Sequence, residues 1–435
     1  MRLLTLSVAA AIMTVPAAAP ARTPNAAAET GSYRNLLREW RPSIDERAID
    51  AKLGSYWRSL FEGGADERVY FSAAPTADGP AAYILDIGND DVRSEGMSYG
   101  MMLAVQMDRK AAFDALWNWA ATHMRYKDGP RAGYFRWQCT PAGCPKDSVP
   151  ASDGEEYIAT ALLMAAGRWG NGAGVYDYAR QANAILDVML HKQDMNGGVV
   201  AGVTNMIDAT ARQVVFVPQG RAARFTDPSY HLPAFYELWA RQATGWRGRT
   251  AADRARWREI AAVSRGFFVK AAHPRTGLSP DYAEFDGRPK PIGGHGDFRF
   301  DAFRTAANWA VDQAWWGKNP QAAALTDRLQ RFFASQGSDY PALYRIDGTP
   351  IGSERSTALI ASNAVASLAS PAPPRADFIA ALWALEPPRG RWRYYDGLIQ
   401  FMATLHVAGR FRAYEAENVA AKMPLRPKMT HLPAK

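Results

Sequence analysis

The chain has 435 residues, of which 48% are hydrophobic and 22% charged, and this balance excludes a disordered, fibrous or membrane-embedded protein. Its net charge of +8 comes from basic residues scattered along the sequence without a Lys/Arg block, so a nucleic-acid-binding surface is not indicated. A rule of about 150 residues per domain would give two or three domains, but one barrel also fits this length.

The first predicted element is a secretory signal peptide over residues 1–21. A basic second residue precedes an apolar run from Leu3 to Val15, and Ala-x-Ala cleavage motifs end at Ala19 and Ala21. This run is shorter than the ~20 apolar residues that span a bilayer, and no later stretch reaches that length. We therefore expect a protein that is secreted or periplasmic and is not inserted in a membrane.

Helical periodicity dominates the rest of the chain. We interpret residues 22–32 as a linker, 33–414 as a single domain and 415–435 as a basic C-terminal tail. Within the domain, apolar residues recur at helical spacing in twelve segments, namely 46–61, 95–107, 110–124, 154–169, 178–191, 233–243, 251–272, 302–316, 320–335, 356–369, 376–385 and 394–407. Joined pairwise, these segments predict six helical hairpins.

Strand-like stretches are few and short. Residues 198–203 and 213–218 have strand patterning and are predicted to form hairpins that decorate loops. No alternation of strands and helices runs through the chain, so a doubly wound or α/β-barrel fold is disfavoured. The sequence thus predicts an all-α protein.

The chain contains two cysteines, Cys139 and Cys144, in a loop-like segment. An oxidising compartment permits a disulfide between them, but short loops often strain such a bridge, so both states stay open. A thiolate zinc site needs more cysteines than these, and no histidines or carboxylates pair at metal-ligand spacing. We therefore expect neither a metal nor another cofactor.

Several predicted helices begin with polar and aromatic residues, at 94–95, 152–153, 227–231, 300–301 and 394–396. Helix capping explains part of this pattern, because Ser and Asp satisfy free amide groups and oppose the helix dipole. Capping does not explain why aromatic residues accompany them at these helix starts. If the inner helices of a barrel all point the same way, these helix starts converge on one rim.

Three of these helix starts carry candidate catalytic carboxylates. Glu95 lies in the first turn of an apolar helix and is followed by Gly96; a carboxyl group held among Met, Tyr and Trp has a raised pKa, as a general acid needs. Asp153 occupies a predicted cap position. Arg304, one helical turn beyond Asp301, is close enough to keep that carboxylate ionised, which suits a base.

These segments carry a resemblance to a known family. It lies in six strings that occur in order, SEGMSYG at 94–100, DGEEY at 153–157, DPSYHLP at 227–233, HPRTGLSPDY at 273–282, DAFRTAAN at 301–308 and RYYD at 393–396. Together they resemble glycoside hydrolase family 8, in particular its reducing-end xylose-releasing exo-oligoxylanases. The match runs over about residues 33–414.

The resemblance implies an (α/α)6 barrel and inverting hydrolysis of β-1,4-xylosidic bonds in xylo-oligosaccharides or xylan. Matched residue by residue, Glu95 falls on the family's general acid, Asp301 on its general base and Asp153 on the aspartate that holds the distorted sugar. Arg304 and Tyr395 match positions that line the sugar cleft. We expect a monomer that needs no cofactor.

Aromatic side chains are candidates for sugar contacts, because pyranose faces present C–H groups that pack against aromatic rings. Trp137 lies in a loop just before the Asp153 helix and is interpreted as a stacking platform, with a core position as the alternative. Tyr230 and Tyr282 lie in motif loops, and for both the same two readings stay open.

One loop departs from the exo-oligoxylanase pattern. In that subgroup, a histidine in the string that follows Ile-Asp-Gly-x-Pro helps to close the cleft beyond the leaving xylose. Here Ile346 to Pro350 are present, but the next loop is shorter by roughly two residues, and Arg355 stands near the place of the histidine. An arginine can still donate hydrogen bonds to a reducing-end hydroxyl.

Three functions therefore remain. Release of xylose from the reducing end is favoured, an endo-β-1,4-xylanase or endo-β-1,4-glucanase of the same family is its rival, and a glycan-binding protein without activity is disfavoured because all three carboxylates are present.

Overall fold

The computed structural model describes residues 26–145, 148–370 and 375–415. The predicted signal peptide and all but the first residue of the predicted basic tail lie outside the described residues. Within the described ranges the α-helices are α1 Ala27–Thr30, α2 Leu36–Trp40, α3 Glu46–Trp57, α4 Ser94–Gln106, α5 Lys110–Trp119, α6 Ser152–Trp169, α7 Tyr178–Asn196, α8 Pro233–Gln242, α9 Thr250–Ala271, α10 Thr305–Trp316, α11 Ala322–Ser335, α12 Thr357–Ala366, α13 Arg375–Ala384 and α14 Arg393–Val407.

Six of these helices form a closed inner ring. Helices α4, α6, α8, α10, α12 and α14 each contact the next, and α14 contacts α4. The outer helices pack on them in pairs: α5 on α4, α7 on α6, α9 on α8, α11 on α10, α13 on α12 and α3 on α14. The predicted (α/α)6 barrel is therefore confirmed.

The different burial of the inner and the outer helices follows from their sequences. Outer helix α11 buries Leu325, Leu329 and Phe333, which share one face at helical spacing and point to the barrel. Inner helix α12 is surrounded by neighbours and buries almost every residue, and its run of Ala and Ser allows the close helix packing that this position requires.

The predicted helix bounds hold within a few residues, and the largest differences concern helix ends. Helices α3 and α5 continue as π-helical turns, Arg58–Glu62 and Ala120–Met124. Helix α7 runs beyond its predicted end through a kink at His191. The segment predicted as a helix from residue 302 begins instead with a 3₁₀ turn, Phe300–Arg304, which carries Asp301.

The strands are short. A hairpin of β1 Tyr70–Thr76 and β2 Gly79–Ile84 packs on α5 and has no counterpart among the predicted elements. Its Ala, Pro and Gly residues disfavour strands and obscure the alternation of apolar residues. The predicted hairpins at 198–203 and 213–218 are present only as isolated bridges, such as Val203 with Gln219.

A second pair of strands leads to the barrel rim. β3 Val92–Arg93 pairs with β4 Gln138–Cys139, and Cys139 is joined to Cys144 by a disulfide. This pairing fixes the loop that contains Trp137 beside the start of α4, where the backbone N–H of Ser94 donates to the Trp137 carbonyl at 2.9 Å.

None of the described helices is both long and apolar enough to cross a membrane.

Candidate active site

The starts of the inner helices meet on one rim of the barrel, as the sequence predicts. The side chain of Arg304, from the 3₁₀ turn before α10, contacts residues at the start of α4, at the start of α6 and just before α8. The hydroxyl of Tyr395, in the first turn of α14, donates to the Phe300 carbonyl at 3.0 Å. Residues far apart in the sequence thus share one site.

Arg304 is the centre of this site and is only 4% exposed. Its Nη1 lies 3.2 Å from Oε2 of Glu95 and 3.4 Å from Oδ2 of Asp153, and its Nη2 lies 3.0 Å from Oδ1 of Asp301. Carboxylates in so buried a place repel one another and need a cation. The three predicted catalytic carboxylates therefore converge on one guanidinium, with Glu95 and Asp301 on different nitrogens.

Glu95 has the properties of a proton donor. Its burial, with the nearby Asp301 and Asp153 carboxylates, raises its pKa to about 8, although Arg304 and Arg93 act in the opposite direction. The hydroxyl of Tyr394 lies 3.0 Å from the second carboxylate oxygen. The raised pKa favours the protonated form of Glu95 at neutral pH, and each of its two oxygens has a partner.

Two glycines let the helix starts approach one another closely. A Cβ atom on Gly96 would lie 2.4 Å from the ring of Tyr394, and a Cβ atom on Gly154 would lie 2.4 Å from Oγ of Ser94. Larger residues would collide with these groups. The glycine that follows Glu95 thus serves the packing of Tyr394 against the acid.

Asp153 is not the helix cap that the sequence predicts. Ala151 occupies the N-cap position of α6, and the hydroxyl of Ser152 donates instead to the Val215 carbonyl at 2.6 Å. Asp153 is the second helical residue, and its side chain points to Arg304. Burial raises its pKa to about 6 despite the neighbouring guanidinium.

Asp301 lies in a strained part of the backbone. Phe300, the residue before it, has φ +38°, a left-handed conformation that costs a non-glycine residue roughly 1–2 kcal/mol. The Asp301 side chain is 27% exposed, more than either Glu95 or Asp153. Asp301 is thus the most accessible of the three carboxylates to water.

Two further aspartates lie beside Asp301. Ligand oxygens of Asp227, Asp281 and Asp301 all lie within 4.8 Å of one another. Oxygen atoms at this spacing are the ligands that a hard divalent cation prefers. Arg304 already pairs with Asp301, and Nδ1 of His295 is hydrogen-bonded to Asp281, so we assign no metal to this cluster.

The candidate aromatic residues lie beside groups at the rim. Trp137 is half-buried beside the start of α4, with the Arg93 guanidinium 5.5 Å from its ring. Tyr230 is 5% exposed and its ring lies 5.9 Å from the Arg304 guanidinium. Tyr282 stacks on His295 with ring centres 4.2 Å apart.

Arg355 does not contact these carboxylates. It is exposed and forms an ion pair with Asp339 at 2.9 Å. The next residue, Ser356, caps α12 and its hydroxyl donates to Asp396 in the first turn of α14. Arg355 therefore lies one residue from the rim, with its side chain turned to another partner.

Sequence reasoning missed several residues of the site. Tyr394 contacts Glu95, and Tyr99 contacts Arg304. Asp281 lies beside the predicted base and is hydrogen-bonded to His295. Tyr99 follows Glu95 by four residues, a spacing that places both on one helix face and could have identified it. The others lie in motif strings, but no spacing in the sequence shows which of them meet.

Large aromatic side chains are also exposed at this rim. Phe300 is 50% exposed and Trp392, which precedes α14, is 63% exposed. Exposed aromatics beside buried carboxylates are typical of a binding cleft.

Comparisons with known proteins point to one family of enzymes. The family model described as Glycosyl hydrolases family 8 matches residues 69–407. The reducing-end xylose-releasing exo-oligoxylanase Rex8A of Paenibacillus barcinonensis is 43% identical over 398 residues, 90% of this chain and 99% of that protein. The reducing end xylose-releasing exo-oligoxylanase of Halalkalibacterium halodurans is 39% identical over 405 residues, 91% and 98% of the two chains.

Among solved structures, a catalytic mutant of a family 8 xylanase from Teredinibacter turnerae in complex with xylohexaose superimposes with a TM-score of 0.84. It is 45% identical in sequence, and the match covers 89% of this chain and 99% of that one.

Proposed function

The chain belongs to glycosyl hydrolases family 8, and we propose that it cleaves β-1,4-xylosidic bonds with inversion and releases xylose from the reducing end of xylo-oligosaccharides. Two relatives that this chain matches over nine-tenths of its length bear that activity in their names. The observation that carries the proposal is the convergence of Glu95, Asp153 and Asp301 on the Arg304 guanidinium.

In the proposed reaction, Glu95 gives its proton to the glycosidic oxygen as the bond to the anomeric carbon breaks. Asp301 takes a proton from a water molecule, whose oxygen forms the new bond to that carbon from the opposite face. Asp153 holds the sugar in a distorted conformation, so part of the binding energy is realised only in the transition state. The fragment from the non-reducing side of the cleaved bond is released as its α-anomer.

The remaining candidates have binding roles in this proposal. Trp137 would stack on a sugar near Glu95. Tyr282 and Tyr395 lie near Asp301, and Tyr230 lies beside the Arg304 guanidinium. The burial of Tyr230, and the ring contacts of both Tyr230 and Tyr282, favour edge contacts of their hydroxyl groups over stacking on a sugar face.

The test is the product formed from xylotriose. Proton NMR during the first turnovers should show α-xylobiose together with xylose, and a β product would contradict inversion. Glu95→Gln and Asp301→Asn should each lose most activity with unchanged circular dichroism, because inversion needs both a donor and a base. Equal digestion of cellulose oligosaccharides would favour a glucanase.

An endo-xylanase is the second candidate. The side chain of Arg355, which was expected to bind a hydroxyl of the reducing-end sugar, is paired with Asp339 instead. A cleft that is less closed at the reducing end favours internal cleavage. The family 8 xylanase of Teredinibacter turnerae, which is similar to this chain, is described with a bound xylohexaose.

We further propose that the protein is exported and acts as a monomer. The Cys139–Cys144 disulfide supports export, because disulfides persist in oxidising compartments and are rare in the cytosol. Fractionation of the producing cell followed by gel filtration of the mature protein tests both points.

A further inference from the structure

Asp227 differs from the other carboxylates of the site because one of its buried oxygens has no hydrogen-bond donor among the described residues. Its side chain is fully buried, and Oδ1 accepts the backbone N–H of Ser229 at 2.7 Å. Its Oδ2 has no hydrogen-bond partner among the described residues. A buried carboxylate oxygen without a donor is strongly disfavoured.

Each of the two neighbouring carboxylates has a cationic or hydrogen-bonding partner. Asp301 is paired with Nη2 of Arg304 at 3.0 Å. Asp281 is hydrogen-bonded to Nδ1 of His295 and accepts the backbone N–H of Ala302 at 3.3 Å. Among the residues that the structure describes, Asp227 is thus the one of the three carboxylates that has no cationic or imidazole partner. One of its oxygens nevertheless lies within 4.8 Å of oxygens of the other two.

Three negative charges cannot be held this close in a buried site with so few donors. A proton on Oδ2 of Asp227 removes one charge and converts the unpartnered acceptor into a donor. The other two carboxylates, which have oxygens within 4.8 Å of Asp227, are acceptors for it. We propose that Asp227 is a neutral carboxylic acid whose hydroxyl donates to this pair and holds the carboxylate of Asp301 in place as the base. The catalytic part of this inference rests on the proposed function.

The electrostatic surroundings agree with this protonation. Burial raises the pKa of Asp227 well above its ordinary value, and Asp281 and Asp301 raise it further, whereas Arg304 opposes them. The backbone at Phe300 is strained, so the turn that carries Asp301 needs interactions that hold it in position. A hydrogen bond from Asp227 to Asp301 would be one of them. Asp227 is accordingly a positioning residue.

Asp227 also caps the 3₁₀ turn Pro228–Tyr230 through its bond to the Ser229 N–H, and two substitutions separate the proposed role from this capping. Asp227→Asn keeps an oxygen for the Ser229 N–H and an N–H₂ donor in place of the hydroxyl, whereas Asp227→Ser keeps only the cap, because its side chain is too short to reach Asp301. We expect Asp227→Asn to retain kcat within about threefold and Asp227→Ser to lose about tenfold or more in kcat with little change in KM. Both variants should melt close to the wild type.

Infrared spectroscopy detects the proton without any assay of activity. The difference spectrum between wild type and Asp227→Asn at pH 7 should contain the carbonyl band of a protonated carboxyl group. Asp286→Asn is the matched control, because Asp286 is exposed and paired with Arg288, and its spectrum should contain carboxylate bands only.

The outcomes distinguish the two proposals. A spectrum with only carboxylate bands for Asp227→Asn, or equal kcat in the Asn and Ser variants, would overturn the inference. A wild-type protein without activity on xylo-oligosaccharides would overturn the proposed function, while the infrared spectrum would still decide whether Asp227 carries a proton.

Discussion

The hydroxyl of Tyr394 lies 3.0 Å from Oε1 of Glu95, while the Arg304 guanidinium lies 3.2 Å from Oε2 of the same carboxyl group. One oxygen therefore has a neutral hydrogen-bonding partner and the other a cation. The two contacts fix the orientation of the carboxyl group relative to a bound substrate, and the loss of either one should impair proton transfer.

The first prediction concerns Tyr394→Phe. Removal of the hydroxyl leaves Oε1 of Glu95 without this contact, and we expect kcat on xylotriose to fall by about tenfold with a small change in KM. Tyr83→Phe, in the β1–β2 hairpin, is the control and should behave as the wild type. Unchanged kcat in Tyr394→Phe would mean that Arg304 alone orients the acid.

The pH dependence of activity is the second prediction. Because burial raises the pKa of Glu95 to about 8, the donor stays protonated through neutral pH and loses its proton as the pH rises further. A plot of kcat/KM against pH should therefore decline above about pH 8, since kcat/KM reports groups of the free enzyme. A decline that begins near pH 5 would contradict this assignment.

The same pKa predicts how stability depends on pH. A carboxyl group with a higher pKa in the folded than in the unfolded chain binds protons preferentially in the folded state. The contribution of Glu95 to the free energy of unfolding therefore falls as the pH rises from 4.5 to about 8. Glu95→Gln has no titrating carboxyl group at this position and so lacks this pH-dependent contribution. Its melting temperature relative to the wild type should rise across that range, whereas for Asp286→Asn the difference should stay flat.

The helices could be predicted from the sequence because the apolar faces of α9, α11 and α14 repeat at helical spacing over several turns. The hairpin β1–β2 could not, since its alternation is interrupted by Ala, Pro and Gly. The 3₁₀ turn before α10 could not be predicted from the sequence either, because its conformation depends on tertiary contacts with Asp281 and Tyr395.

The site was predictable only in part, for a related reason. Glu95, Asp153 and Asp301 lie at helix starts, a position that the sequence reveals, and the resemblance supplied their roles. Asp227 and Asp281 lie in loops, and their approach to Asp301 depends on how three distant segments fold over the rim. Single-sequence patterns contain no information on such contacts.

Gly96 provides the fourth prediction. A Cβ atom at this position would lie 2.4 Å from the Tyr394 ring, so Gly96→Ala should displace Tyr394 and lower kcat by about tenfold or more. Alanine is the better helix former by roughly 1 kcal/mol, so any loss has to come from the collision. Gly64→Ala, with no atom within 4 Å of the new Cβ, is the control.

The last prediction concerns exo or endo action and begins with the loop that ends at Arg355. Backbone hydrogen bonds link this loop to the segment before the base: Phe298 pairs with Tyr344, and Ala342 pairs with the Glu354 carbonyl. The loop is thus anchored beside the turn that carries Asp301. From the family resemblance, we expect its end at Arg355 to lie beyond the leaving xylose.

Arg355 is available to that sugar. Its ion pair with Asp339 is solvent-exposed, and such pairs contribute only about 0–1 kcal/mol, so a hydroxyl of the reducing-end xylose can compete for the guanidinium. A mobile arginine closes the cleft less completely than a packed side chain would. We therefore expect mainly xylose from short xylo-oligosaccharides, with some internal cleavage of longer ones.

A time course on end-labelled xylohexaose measures this directly. The wild type should release xylose first, and Arg355→Ala should increase the share of xylobiose and xylotriose among the early products. Asp339→Ala is the matched variant: it removes the competing partner but keeps Arg355, so its products should shift toward xylose or stay unchanged. If the wild type forms xylobiose and xylotriose early without free xylose, the protein is an endo-xylanase and Arg355 does not close the cleft.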